Sequence, residues 1–262
     1  MNAFIGFIVG LAGGLVGLGG AELRLPYLTG TLRLPLSIAI PVNLAVSLAT
    51  LIAALPTRLY TLRTADLVPF LLQTGSLAVG AIFGAYIGVN WLRRLSATAL
   101  KRAVFALLLA LGVVMIAEGF VAVTPLGLIP KIGALEIISG LTLGVAIGAV
   151  SGLLGVAGGE VIIPTLVLGF GAPIKAAGSL SQMVSIPTVF TGLARHLRAG
   201  AIRNRRINTH LVLPMSIGAD TGGVAGGLLT SIAPSGSLKA LLGVILIASS
   251  YKVFAKRLDL PA

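Results

Sequence analysis

The segment from Gly6 to Leu28 returns 138 residues later, and no other feature limits so strongly what this chain can fold into. Gly6, Gly10, Gly14, Leu15, Gly17, Gly20, Glu22, Pro26 and Leu28 stand opposite Gly144, Gly148, Gly152, Leu153, Gly155, Gly158, Glu160, Pro164 and Leu166. That is nine identities in 23 ungapped positions, against roughly two or three expected from composition. Each copy is apolar, carries a double glycine (Gly19-Gly20, Gly158-Gly159), and continues into an acid and a proline. Paired glycines lower helix propensity and proline lacks an amide donor, so each copy predicts a helix broken in its middle. The offset persists through Pro35/Pro173, Val46/Val184, Ser47/Ser185, Thr50/Thr188 and Lys101/Lys239. We read repeat 1 over 1–120, a linker over 121–134 and repeat 2 over 135–262.

The medium follows from hydropathy. Of 262 residues, 56% are hydrophobic and only 10% are charged, where soluble domains carry about 25% charged residues. Mean hydropathy is +1.06. The expected class is an all-α polytopic membrane protein, with the lipid bilayer as its surroundings. The net charge of +12 fits loop charges that set topology better than nucleic-acid binding, because no basic patch is interleaved with aromatics. Cysteine is absent, which removes disulfides and thiolate chemistry. The opening MNAFIGFIVG has no basic stretch before its apolar run, so it reads as a retained membrane segment.

After each broken block come about three further apolar blocks. They are Ser37 to Leu55, Leu67 to Asn90 and Ala103 to Ala117 in repeat 1. In repeat 2 they are Ala176 to Ala194, Ile207 to Thr230 and Leu238 to Phe254. Gly80, Gly84 and Gly88, and Gly218, Gly222 and Gly226 at the same offset, form i, i+4, i+8 stripes suited to close helix contact. If every block crosses the bilayer, the repeats are parallel and the nineteen Lys and Arg split 11 to 8. If each broken block returns to its own side, the repeats are inverted and the split is 14 to 5. The positive-inside rule favours inversion. The length of Ile137 to Gly159, 23 residues, argues for a full crossing.

Chemistry-bearing residues cluster around the breaks. Gly17, Gly19, Gly20, Gly155, Gly158 and Gly159 would leave backbone amides and carbonyls free within the membrane, and a helix starting there can attract an anion. Asn43, Ser47 and Thr50 lie at i, i+4, i+7, as do Ser181, Ser185 and Thr188, with Gln182 adjacent. Such neutral donors can replace the hydration of an oxyanion, although Ser and Thr in membrane helices often bond their own backbone. Glu22 and Glu160 are acids at membrane depth in equivalent positions, suited to carrying protons or to capping the short helix after each break. Asp220, whose counterpart is Ile82, is a further candidate for proton coupling. Arg24, opposite Ile162, can bind an anion, pair with Glu22 or sit at the membrane interface, and the interface is the usual place for a lone arginine. His196 and His210 read as solvated block-end residues. No metal-ligand cluster and no nucleophile with a paired base is present, so neither an enzyme nor a cofactor is expected.

The motifs Gly17-LGGAELRLPYL and Gly155-VAGGEVIIPTL resemble the TauE/SafE sulfite exporter family, also called the toluene sulfonate uptake permease family. The resemblance spans nearly the whole chain. It departs at Ala21 and Ala157, where the family pattern has glycine. It implies secondary transport of small sulfur-containing or organic anions, such as sulfite, thiosulfate and sulfonates, across the cytoplasmic membrane, with the proton gradient as a candidate driving force. The expected partner is a small anion, with no nucleic acid, and a homo-oligomer is left open. A passive anion channel would use the same donors. A membrane scaffold subunit would show no flux.

Overall fold

The computed structural model describes residues 1–61, 66–92, 96–120, 127–130, 132–200 and 205–229, with 240, 243, 244 and 247. Every element in them is helical. Repeat 1 contains α1 (Asn2–Val16), α2 (Ala21–Pro26), α3 (Leu36–Thr61), α4 (Leu71–Leu92) and α5 (Ala97–Phe120). Repeat 2 contains α6 (Gly133–Leu154), α7 (Gly159–Pro164), α8 (Ile174–Arg198), the single turn α9 (Arg205–Ile207) and α10 (Leu213–Leu229). The block Leu238 to Phe254 lies almost wholly outside the described residues.

The repeat holds at the level of single turns. α1 ends at Val16 and α6 at Leu154; α2 and α7 begin at Ala21 and Gly159 and end at Pro26 and Pro164. Each proline is followed by one widened turn, Tyr27–Thr31 and Thr165–Gly169. Each is closed by an i+5 bond, the Leu32 amide to the Tyr27 carbonyl at 3.1 Å and the Phe170 amide to the Thr165 carbonyl at 3.3 Å. α3 and α8 then start at Leu36 and Ile174, again 138 apart.

Glycine meshes join the repeats, and each mesh crosses from one repeat to the other. Gly80, Gly84 and Gly88 of α4 press on the backbone of Leu141, Val145 and Ala149 in α6. Gly218, Gly222 and Gly226 of α10 press in the same way on the backbone of Ala3, Phe7 and Leu11 in α1. The first helices answer in kind, with Gly6, Gly10 and Gly14 against Met215, Ala219 and Gly223, and Gly144, Gly148 and Gly152 against Leu77, Ala81 and Ala85. A Cβ on Gly10 would lie 2.2 Å from the Ala219 carbonyl oxygen, and one on Gly148 would lie 2.0 Å from that of Ala81. Only a residue without a side chain allows this approach, which gives van der Waals contact where lipid offers no hydrophobic drive.

The register of these contacts sets helix direction. Contacts rise together between α1 and α10 and between α4 and α6, so both pairs are parallel. α3 runs with α10, since Gly223 meets Thr50 and Gly227 meets Thr57. The equivalent helices α3 and α8 oppose one another: Leu44 touches Gly192, whereas Arg58 bonds Ser179. The repeats are therefore inverted.

Both broken blocks fold back. The Tyr27 hydroxyl donates to Asn2 Oδ1 at 3.1 Å, which brings the end of the α2 arm to the start of α1. Leu128 and Ile129, just ahead of α6, donate their amides to Leu168 and Gly169 at 2.9 and 2.8 Å. α6 is long enough to cross a bilayer, as its sequence length suggests, and so are Leu36–Thr61 and Val68–Asn90. Length alone misleads for α6, because the arm after it returns toward the side from which it came.

The surface is apolar, and polar side chains are buried among the hydrophobic core, where they can satisfy backbone groups. Phe83, Phe190 and Ile217 point outward, more than half exposed, while Asn43, Ser47, Thr50, Ser181 and Gln182 are fully buried.

Candidate functional site

The two breaks meet between α3 and α8. Gly17 and Gly155 end α1 and α6 with φ of 92° and 69°. Gly20 and Gly158 open α2 and α7 with φ of 67° and 79°. These left-handed conformations penalise any residue with a Cβ. Gly19 and Gly159 serve close approach instead. A Cβ on Gly19 would lie 3.0 Å from the Ala157 methyl, and one on Gly159 would lie 3.0 Å from Leu18 Cδ2. Ala21 and Ala157, the two departures from the glycine pattern, are both fully buried.

Each break seats against the third helix of the other repeat. Gly17 abuts Gly178 of α8, and Gly155 abuts Ile40 of α3. A helix that stops inside a membrane leaves carbonyls without intrahelical partners. Asn43 on α3 supplies Nδ2 to the Gly155 carbonyl at 2.9 Å and to the Ala21 carbonyl at 2.7 Å. Its counterpart Ser181 on α8 donates to the Gly17 carbonyl at 3.0 Å. Arg58 near the end of α3 donates to Gly14 and Leu15 at the end of α1, at 2.7 and 3.1 Å. His196, the residue equivalent to Arg58, sits 3.4 Å from the Gly152 carbonyl at the end of α6.

Two charged residues lie deeper than their sequence positions suggest. Arg58 lies within α3, which continues to Thr61, and it is buried. With Arg24 also buried, one charge leaves each side of the 14-to-5 split, and the bias stands. His196 is likewise buried, not solvated. In each case the free carbonyls of a stopped helix attract a donor that periodicity alone would assign to the interface.

Arg24 is not at the membrane interface, the usual place of a lone arginine, but lies beside the first break. It is fully buried on α2. Its Nη2 donates to the Gly19 carbonyl and to Ser47 Oγ at 2.6 and 2.5 Å. Its Nε reaches Asn43 Oδ1 at 3.3 Å and its Nη1 reaches Thr50 Oγ1 at 3.4 Å. Glu22 and Asp220 lie within Coulombic reach of the guanidinium. The available signal was an arginine inside the repeated motif, two residues beyond an acid.

The remaining candidates divide. Ser185 is buried on α8, as is Gln182, whose side-chain amide finds no acceptor or donor among the described residues. Thr50 and Thr188 return their hydroxyls to Val46 and Val184, and Ser47 returns its own to Asn43. Glu22 is buried with Oε1 unbonded. Glu160 lines a cavity of about 200 Å³ between α6 and α7, walled by Ile147, Ser151, Val156 and Gly158. α2 and α7 span only six residues each, too short for a strong helix dipole, so the helix-end attraction expected for an anion is weak. No His, Asp and Glu cluster among the described residues is suited to a metal.

Comparison with known proteins gives one match. The family model described as "Sulfite exporter TauE/SafE" covers residues 1–115 and 140–261, one segment on each repeat. No curated protein and no solved structure matches the chain.

Proposed function

Because the chain belongs to the TauE/SafE sulfite exporter family, we propose that it is a secondary transporter of small sulfur-containing or organic anions, sulfite, thiosulfate and sulfonates among them, in the cytoplasmic membrane. The observation that carries this reading is the meeting of two inverted, broken-helix hairpins, each capped by the other repeat through Asn43 and Ser181. Inverted repeats with discontinuous helices place a substrate site where the breaks meet, and rocking one helix bundle against the other exposes that site alternately to each side. The site takes in Gly17, Gly19, Gly20, Asn43 and Ser47 from repeat 1, with Gly155, Gly158, Gly159, Ser181, Gln182 and Ser185 from repeat 2. Glu22, Glu160 and Asp220 are the acids that would carry protons. The units that would move are the two bundles held together by the glycine meshes, α1, α3 and α10 against α4, α6 and α8.

The test is flux of sulfite, thiosulfate and methanesulfonate in proteoliposomes, with and without a pH gradient. Saturable flux that follows the gradient supports a proton-coupled transporter. Saturable flux indifferent to pH removes the proton and keeps the transporter. Flux that rises linearly with concentration favours a channel, and no flux of any of the three removes the substrate class. Glu22→Gln or Glu160→Gln should reduce gradient-driven flux about tenfold with folded protein retained. Loss of folded protein instead would make that acid a helix cap.

A further inference from the structure

We propose that Arg24 takes the charge of the transported anion, at a site made by the Nη1 edge of its guanidinium, the Thr50 hydroxyl and Asp220 of α10. The inference rests on the reading of the chain as an anion transporter and specifies where in it the charge is met.

A buried cation is costly unless something compensates it. The four hydrogen bonds of Arg24 all end on neutral oxygens, those of Gly19, Ser47, Asn43 and Thr50. Arginine pairs most strongly with an anion through two parallel bonds, and neither nearby carboxylate is used that way. Glu22 Oε1 and Asp220 Oδ1 accept no hydrogen bond among the described residues. The guanidinium is held unevenly. Its Nη2 is anchored at 2.6 Å to the break, whereas Nη1 makes one long bond of 3.4 Å. A guanidinium has five N–H groups, so one on Nη1 stays available.

That edge looks toward α10. A Cβ built on Gly223, three residues beyond Asp220, would lie 3.1 Å from Thr50 Cγ2, and Asp220 acts electrostatically on Arg24. An oxyanion between them would accept from Nη1 and from the Thr50 hydroxyl, which now donates to its own helix at Val46. Asn43 and Ser47 become positioning residues that aim the guanidinium. Asp220 opposes the anion when charged and donates to it when protonated; the charged group that acts on it is Arg24 on α2.

Symmetry singles out this place. Both charged members are unmatched in the other copy: Ile162 stands opposite Arg24 and Ile82 opposite Asp220, while the neutral Thr50 keeps its partner Thr188. Two departures from the repeat, far apart in sequence, act on one another electrostatically, so the anion site occurs once.

The test compares methanesulfonate with dimethyl sulfone, a neutral molecule of nearly the same shape, by calorimetry on the purified full-length protein. The wild type should prefer methanesulfonate at least a hundredfold. Arg24→Gln should bring the two ligands within about threefold, and Arg24→Lys should keep roughly a tenth of the wild-type affinity. Thr50→Val should weaken methanesulfonate about tenfold and leave dimethyl sulfone unchanged, and Asp220→Asn should tighten methanesulfonate several-fold. Retention of the charge preference in Arg24→Gln overturns the proposal. If that variant does not fold, unchanged methanesulfonate affinity in both Thr50→Val and Asp220→Asn overturns it. Wild-type protein that binds none of methanesulfonate, sulfite and thiosulfate removes the transporter reading and this site with it, whereas tight binding indifferent to Arg24 removes the site alone.

Discussion

At the first break a guanidinium holds the backbone; at the second a serine does. Arg24 donates to Gly19 in repeat 1, where repeat 2 has Ile162. Ser151 donates to the Val156 carbonyl at 2.5 Å in repeat 2, where repeat 1 has Gly13. There a Cβ would meet the Leu18 carbonyl at 2.6 Å, the same contact without a side chain to make it. The scaffolding of the two breaks is otherwise alike, down to the φ signs of their glycines. Duplication thus conserves what stops the helix and turns it back, and divergence concerns what fills the space around the stop. Repeat 1 fills it with charge, and repeat 2 leaves a cavity beside Glu160.

The largest test of this comparison is whether the repeats are inverted at all. Asp66 follows α3 and Ala199 follows α8, and both are exposed. Since the chain has no cysteine, Asp66→Cys and Ala199→Cys can each be labelled alone with a membrane-impermeant maleimide in right-side-out vesicles. Asp66→Cys should label and Ala199→Cys should not, because the basic end of α8 belongs inside. Labelling of both from one side would make the repeats parallel.

Next in size is the tightness of the breaks. Gly20→Leu and Gly158→Leu should each abolish flux. Alanine separates the copies. Both positions bear a left-handed penalty of about 1–2 kcal/mol. At Gly20 the Cβ also meets Val9 Cγ1 at 2.7 Å and the Val9 carbonyl at 2.9 Å, whereas at Gly158 its nearest neighbour is Ile147 Cγ2 at 3.2 Å. Overpacking adds about 1–3 kcal/mol, so Gly20→Ala should lower the unfolding temperature clearly more than Gly158→Ala. Equal losses would mean that the first break relaxes as freely as the second.

The cross-repeat caps follow. Asn43→Leu removes two bonds to break carbonyls and one acceptor for Arg24, while Ser181→Ala removes one bond to Gly17 and a local bond to Gly178. At about 1 kcal/mol for each hydrogen bond, Asn43→Leu should cost about 3 kcal/mol. Ser181→Ala should cost about 1 kcal/mol, since hydroxyls inside membrane proteins contribute less than buried geometry suggests. Denaturant unfolding of the two variants reads the ratio directly.

Much of this architecture was legible in the chain. The left-handed break glycines (Gly17/Gly155 and Gly20/Gly158), the returning prolines and the glycine stripes all occur at the 138-residue offset, and each constrains the backbone wherever it occurs. What periodicity could not supply was the partner of each stripe. Gly80 and Gly84 look alike whether they meet a helix of their own repeat or, as they do, α6 of the other. Direction was equally hidden, because α6 is long enough to cross and only the bonds from Leu128 and Ile129 to the returning arm expose the hairpin. Arg24 and His196 were misplaced for a single reason. Lone basic residues usually sit at interfaces, but a helix that stops inside a membrane makes carbonyls there, and carbonyls draw donors inward.

The smallest expected effect isolates that last point. Ser151→Gly gives repeat 2 the residue that repeat 1 has at Gly13, and it removes the bond to the Val156 carbonyl while adding the flexibility of a helical glycine. The two losses come to about 1 kcal/mol each, and flux should stay within about twofold of wild type. The reverse change, Gly13→Ser, is not its mirror image. Its Cβ would start 2.6 Å from the Leu18 carbonyl and so must push the first break away before its hydroxyl can bond. It should therefore cost more than Ser151→Gly, although it restores the residue that works in the other copy. If Gly13→Ser is instead neutral and carries normal flux, the first break has room for the support used by the second. The divergence between the copies would then lie in Arg24 and Asp220 alone.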